Sequence, residues 1–377
     1  MDSMEIILKV TDLSRGGAGV ARDSEGRVIF VPYTAPGDVC RIRVVEENKR
    51  YAQGELLEVL EASADRITPR CPVFGQCGGC QWQHLPYELQ WRTKFRGVEH
   101  ALKRVQVELP REVEEIPADQ IWEYRNRVQL RGVRNELGFF KSGSKTLVPI
   151  QRCDIARAEI NAVLPEVAQE GVLKKSAYKV EVEVLPSGEV RKLWNARHSA
   201  GGFRQVHDEQ NEKLKAWIHE ALPAASVLLD LYGGSGNLSR SFVGKAQEIH
   251  CVDLGSPRVR PEGCPEGCPE GYHFHRSSVR EWLVNEVSRH AQEKRVWQNA
   301  VAILDPPREG LAGDFQVIAQ AVEKLGVTRF VAVGCDADAW ARDVSRWLKR
   351  GWKLERVMAM DLFPQTAHIE SVGVLAL

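Results

Sequence analysis

Cys335 ends the apolar run Val331-Ala-Val-Gly-Cys-Asp336, and the Ala-rich stretch to Asp343 has the composition of a helix. A cysteine at the carboxyl end of a buried strand sits where open α/β sheets bind their ligands. The first turn of the following helix is expected to favour its thiolate, while Asp336 beside it is expected to disfavour the same charge. A single free cysteine more often just packs in a core. Its company changes that balance: Leu229-Asp-Leu-Tyr-Gly-Gly-Ser-Gly-Asn237 upstream, Asp305-Pro-Pro-Arg308 before it and His368-Ile-Glu370 after it.

The glycine loop joins a buried strand to what reads as a helix, and its glycines let backbone approach a nucleotide-like ligand. It does not follow the dinucleotide spacing, because no glycine follows Gly236 at the helix-packing position. A nicotinamide-dependent oxidoreductase therefore fits poorly. An acid closing the strand before such a loop, here Asp230, is typical of S-adenosylmethionine sites. Asp253 ends the next strand, placed for ribose hydroxyls or else for a helix cap.

A second group of residues has metal chemistry. Cys71, Cys77 and Cys80 lie in Cys71-Pro-Val-Phe-Gly-Gln-Cys-Gly-Gly-Cys80, and Cys153 is the natural fourth thiol. Three close cysteines and one distant one suit an iron–sulfur cluster, whereas zinc sites more often use two close pairs. The spacing favours [4Fe–4S] and leaves zinc open; its role reads as a structural staple. Cys264 and Cys268, in the repeat Pro261-Glu-Gly-Cys-Pro-Glu-Gly-Cys-Pro-Glu-Gly271, could bind a metal or simply lie in a flexible loop, since proline at every fourth position forbids a helix.

These residues need a scaffold, and 377 residues allow two or three domains with a large core. Lys+Arg and Asp+Glu both count 51, so any nucleic-acid face must be local. There is no run of 18 apolar residues and no signal pattern, and nine cysteines at metal-like spacing suit a reducing compartment. A cytoplasmic monomer with no membrane span is expected. Residues 1–62 read as a small OB-like β-barrel, with strands near Ile6–Val10, Arg27–Val31, Asp38–Val45 and Gly54–Leu60 and turns between them. Arg15, Arg22, Arg41, Arg43, Lys49 and Arg50 are candidate phosphate contacts there, or a solvated charged surface. Residues 63–200 read as a central α+β domain with a helix from Pro86 to Leu102. Arg125, Arg127 and Arg131 alternate along one strand and would share a face, tracking an RNA backbone or facing solvent. From 201 to 377 short apolar strands alternate with helical stretches, the pattern of a Rossmann-like, doubly wound α/β sheet.

Taken together, the cysteine run, Tyr124-Arg-Asn-Arg127, Phe203-Arg-Gln-Val206, the glycine loop, Asp305-Pro-Pro-Arg308, Cys335 and His368-Ile-Glu370 fall in the order of a known family. The chain resembles the RNA (uracil-5-)-methyltransferases, in the group with an N-terminal TRAM domain and a [4Fe–4S] cluster. That resemblance implies S-adenosylmethionine-dependent methylation of a uridine in RNA, with 23S ribosomal RNA as substrate; relatives lacking the extra parts act on transfer RNA. It implies Cys71, Cys77, Cys80 and Cys153 as cluster ligands. Gln205, Asp230, Tyr232, Gly234, Gly236 and Asp253 would bind S-adenosylmethionine. Asp305 would touch both cofactor and uracil, Cys335 would be the nucleophile and Glu370 the general base.

The family's chemistry needs these residue types. Uracil C5 becomes nucleophilic once a thiolate adds to C6, and the adduct persists until a base removes the C5 proton. Here Asp336-Ala337 stands where the family has Asn-Pro, and Ser277 or Ser278 stands where an acid is usual. The Pro-Glu-Gly-Cys repeat replaces a helix, and Gly234 a frequent cysteine. Those departures leave an alternative: an RNA-binding protein of the same fold whose catalysis is weakened or lost.

Overall fold

The computed structural model of the protein describes residues 5–134, 136–174, 176–196, 204–255 and 269–377. Phe203 and the part of the repeat that holds Cys264 and Cys268 lie outside the described residues. The chain forms two compact units, one from Met1–Lys94, Ala118–His198 and Phe363–His368, the other from Phe95–Pro117, Ser199–Leu362 and Ile369–Leu377. Among the described residues no helix is long and apolar enough to cross a membrane.

The first unit opens with a closed five-stranded barrel. Its strands run Glu5–Leu13, Gly19–Arg22, Val28–Val31, Tyr51–Glu61 and Val39–Glu47 around the ring. Alternation places Leu8, Val10, Ile29, Val31, Cys40 and Ile42 inside. Residues between them point out, and two of the candidate phosphate contacts are already paired there. Arg41 lies 3.1 Å from Glu58, and Arg43 lies 3.3 Å from both Glu5 and Glu55.

A five-stranded antiparallel sheet follows, in the order Val190–Trp194, Tyr178–Val184, Arg127–Val133, Glu136–Phe140 and Leu147–Pro149. Helix Ala158–Val172 buries Ile160, Leu164 and Val167 against Val128, Leu130, Val180 and Val182. The arginines that alternate along this strand are unevenly exposed. Arg127 is buried and faces Glu181 at 3.7 Å, while Arg131 lies over the Phe140 ring, 5.5 Å from its centroid. A buried guanidinium needs a carboxylate to offset lost hydration, and Glu181 on the adjacent strand supplies it.

The second unit is built on an eight-stranded sheet. Its order is Tyr272–His275, Ala246–Val252, Ala225–Leu231, Ala300–Leu304, Val327–Gly334, Glu370–Ala376, Lys353–Met360 and Glu112–Ile116. The first five strands are mutually parallel, and Ala300–Leu304 is buried along its whole length, as a sheet covered on both faces requires. Glu370–Ala376 runs antiparallel between Val327–Gly334 and Lys353–Met360. Phe330, Trp347 and Trp352 pack with ring centroids 4.6 to 5.3 Å apart and seat helix Ala337–Leu348 on the sheet.

Candidate active site

Strand order creates the site. From Ala225–Leu231 the chain moves outward to Ala246–Val252 and Tyr272–His275, then returns to the other side as Ala300–Leu304. That reversal is a topological switch point, where open α/β sheets leave a crevice at their carboxyl edge. The glycine loop follows one flanking strand and Asp305 the other. Asp253 and Cys335 end the next strands out, so all four features share one sheet edge. Because Glu370–Ala376 is antiparallel, its first residue lies at that edge too: Ser371 pairs with Gly334, which puts Glu370 beside Cys335.

The electrostatics agree with this placement. Burial pushes the Cys335 thiol up to about 12, with Glu370 and then Asp305 adding to the rise and Arg308 opposing it. Burial, then Asp305, raises the Glu370 carboxyl well above the carboxylate range, again against Arg308. Burial, then Asp230 and Asp253, pushes Asp305 up to about 7. Asp305 therefore belongs to two groups, the thiol–carboxyl pair and the acids around the glycine loop. At the helix N-terminus the thiol is raised, not lowered as expected. Asp336 caps helix Ala337–Leu348 and accepts from the N–H groups of Asp338 and Ala339, both at 3.0 Å, so those donors are engaged. The carboxylates acting on the thiol are Glu370 and Asp305, from other strands, rather than the sequence neighbour whose oxygen serves the cap.

The loop carrying Arg308 is tied to the same helix. Asp343 accepts from the Leu311 N–H at 2.7 Å, Arg342 donates to the Glu309 carbonyl at 2.6 Å and Arg346 donates to the Ala312 carbonyl at 3.0 Å. Asp343 gave no sign in the sequence beyond its place in the run after Cys335. His368, by contrast, lies in the first unit, edge-on to Phe363 with centroids 5.9 Å apart.

The glycine loop leads not into a helix but into one short 3₁₀ turn, Ser239–Phe242, before the chain returns at Ala246. So few residues cannot hold a full helix and a reversal. The loop is held by its neighbours instead: the N–H groups of Tyr232 and Gly233 both donate to the Val252 carbonyl, at 2.9 and 3.3 Å. Tyr232, Gly234 and Gly236 all have positive φ, which aims successive backbone groups unevenly and opens the loop. Gln205 is buried just ahead of helix Asp208–Ala221, which His207 caps. Asp253 accepts from the Gly255 N–H at 2.5 Å, a turn contact. Ser278 caps helix Val279–Glu293 at the position of the expected acid.

Cys71, Cys77, Cys80 and Cys153 line one cavity of about 230 Å³ in the first unit. Among the described residues no three His, Cys, Asp or Glu side chains close around a single point as one metal ion demands. The four thiols nevertheless line a single space, far roomier than a water needs. Asn161 fixes the Cys153 loop, accepting from the Cys153 N–H at 2.8 Å and donating to the Cys153 carbonyl at 3.0 Å. The Gly79 N–H donates to Cys77 Sγ at 3.4 Å. Burial pushes Cys80 up to about 12 and Cys153 up to about 11, and Cys77 adds to both.

Comparison places this architecture first by fold. The structure resembles the tRNA (uracil-54, C5)-methyltransferase of Pyrococcus abyssi, solved with S-adenosyl-L-homocysteine, with a TM-score of 0.67 and 18% identity over 99% of this chain and 100% of that one. Residues 5–57, which build most of the barrel, match the TRAM domain. An uncharacterized RNA methyltransferase of Bdellovibrio bacteriovorus is 30% identical, covering 98% of this chain and 95% of that protein. The chain belongs to the RNA methyltransferase family, in its TRAM-containing form.

Proposed function

We propose that the protein transfers a methyl group from S-adenosylmethionine to C5 of a uridine in RNA, with 23S ribosomal RNA as substrate, through a covalent bond between Cys335 and C6. The observation that carries this is the meeting of Cys335, Glu370, Asp305 and Arg308 at one sheet edge. Cys335 Sγ, once deprotonated, forms the S–C6 bond and pushes electrons onto the uracil O4. Arg308, whose charge acts on both Cys335 and Glu370, is placed to stabilise that oxygen. C5 then takes the methyl group from the sulfonium, Glu370 accepts the C5 proton, the C5–H electrons close the ring double bond, and Cys335 leaves as a thiolate with the S–C6 electrons. Cys335 and Glu370 must both shed protons before this cycle runs.

The acids support the choice of methyl donor. S-adenosylmethionine carries an ammonium and a sulfonium charge, and burial first, then repulsion from neighbouring acids, raises Asp230 and Asp305. A cationic ligand relieves that repulsion. Gln205, Asp230, Tyr232, Gly234, Gly236, Asp253 and Asp305 are assigned to hold it. Cys71, Cys77, Cys80 and Cys153 would hold a [4Fe–4S] cluster, which would supply positive charge to the thiols and cross-link their loops. The working division is an OB-like TRAM domain over 1–62, a central domain over 63–200 and a methyltransferase domain over 201–377, in a cytoplasmic monomer.

One observation favours a second reading, an RNA-binding protein with weakened catalysis: the thiol is pushed up to about 12 in the unliganded site. RNA containing 5-fluorouridine separates the two. Fluorine cannot leave C5 as a cation, so an active enzyme with methyl donor stays bonded to the RNA. A protein–RNA band that survives denaturation, and is absent for Cys335→Ala, is the expected result. RNA binding without any such band would reject the enzyme.

A further inference from the structure

The glycine loop is backed by a hydrogen-bonded chain that joins Asp230 to two residues not assigned above, Ser239 and Tyr272. Ser239 Oγ donates to Asp230 Oδ2, and the same Ser239 oxygen lies 2.6 Å from the Tyr272 hydroxyl. Ser239 has one proton, and an ionised Asp230 takes it, so Tyr272 is the donor to Ser239. All three side chains are buried, Asp230 and Ser239 completely and Tyr272 to 3% exposure. Asp230 Oδ1, equally buried, has no hydrogen-bond partner. An unpartnered buried carboxylate oxygen is costly unless a ligand's donor completes it.

The loop is shaped around this chain. A Cβ at Gly236 would lie 2.1 Å from the Tyr272 hydroxyl, and one at Gly233 would lie 2.4 Å from Asp230 Oδ2. Tyr272 comes from the edge strand Tyr272–His275, two strands away from Asp230. It is held there by its neighbour Phe274, whose ring centroid lies 4.9 Å away. The three residues thus form one unit from the two ends of the glycine loop and a strand 33 residues beyond Ser239.

We infer that Ser239 and Tyr272 are positioning residues: they hold Asp230 Oδ2 so that Oδ1 is presented to the amino group at the methionine end of the methyl donor. This rests on the reading of the site as a methyltransferase and deepens it. Ser239 and Tyr272 do not touch the reacting atoms. With either hydroxyl removed, Asp230 keeps its charge but loses its fixed orientation, so recognition of the amino group weakens while the adenosine end is unaffected.

Calorimetry with two probes tests this: S-adenosylhomocysteine, which has the amino group, and 5′-methylthioadenosine, which lacks the amino-acid end. Ser239→Ala and Tyr272→Phe are expected to weaken S-adenosylhomocysteine binding about 10- to 100-fold, the loss of a hydrogen bond to a charged group. Both variants should bind 5′-methylthioadenosine as the wild type does, which also shows that the loop is folded. Equal weakening of both probes would assign the two hydroxyls to loop folding and overturn the inference, as would unchanged S-adenosylhomocysteine binding. A wild type that binds neither probe would instead overturn the methyltransferase reading, and the inference with it.

Discussion

Cys335 and the cysteine quartet put the same side chain in two kinds of company. All five thiols are raised by burial. Cys335 then meets the carboxyls of Glu370 and Asp305 with Arg308 opposing them. Cys80 meets the Gln83 side chain and then other thiols, Cys153, Cys77 and Cys71. A thiol among acids and a guanidinium can exchange a proton and bond transiently to a substrate. Thiols gathered around a cavity need a cation to become thiolates together. The difference lies in the scaffold as well: Cys335 ends a strand of a packed sheet, whereas the quartet sits in loops held by side chains such as Asn161.

The largest effect should fall on the reactive thiol. Cys335→Ala is expected to lower methyl transfer by at least ~10⁴-fold, while S-adenosylhomocysteine binding stays within about twofold. Radiolabelled methyl incorporation and calorimetry measure the two, and substantial residual transfer would erase the contrast between Cys335 and the quartet. Glu370→Gln should cost about 10²- to 10⁴-fold in turnover. Its signature is an accumulating covalent RNA adduct on a denaturing gel, because the C5 proton then has no acceptor.

The pH profile sharpens the comparison next. Burial raises the Cys335 thiol to about 12 and the Glu370 carboxyl well above the carboxylate range; addition to C6 needs the thiol proton gone, and release of the product needs the carboxyl proton gone. The second-order rate constant should therefore climb at least about tenfold between pH 6 and 8. A flat profile would mean that substrate binding resets both groups. On the other side, Cys153→Ala should lower stability by about 2–4 kcal/mol and abolish bound iron and acid-labile sulfide, with single-turnover methyl transfer within about threefold. Iron retained by that variant would remove Cys153 from the ligand set.

The smallest effect is on folding. Asp305 titrates at about 7 in the folded site against an ordinary 3.8. A group raised in this way favours the folded state at low pH and loses that contribution as pH rises through 7. Asp305→Asn should therefore stabilise the unliganded protein by about 1–2 kcal/mol at pH 8. The gain should shrink toward pH 4, as followed by urea unfolding. A variant less stable at pH 8 would show that the carboxylate is already compensated.

Much of the scaffold is legible in the sequence because the relevant signals are local. Four buried strands of the parallel sheet read directly from apolar runs, and the helix after Cys335 from its Ala-rich start. What escaped had contrary or absent local signals. Helix Ala158–Val172 carries Pro165 in its interior, yet its Ile160, Leu164 and Val167 face binds a sheet strongly enough to prevail. Glu112–Ile116, largely acidic, carries no strand pattern of its own and pairs with Lys353–Met360. The Arg125, Arg127, Arg131 alternation was visible, but which face was wet depended on Glu181 from a strand some fifty residues on. In the site, Cys335 and Asp253 are legible as strand-end residues, whereas Tyr272 and Asp343 act through partners 33 and 32 residues away in the chain.

By itself the sequence determined which residues can do chemistry and which segments are strands, since residue type and hydrophobic period act over a few positions. The tertiary structure alone decided who meets whom. One antiparallel strand brings Glu370 to the thiol's edge of the sheet, a helix cap turns Asp336 away, and a switch in strand order opens a crevice beside Asp305. Those outcomes depend on pairing between segments far apart in the chain, and Coulomb forces report distances in space, whatever the separation along the backbone.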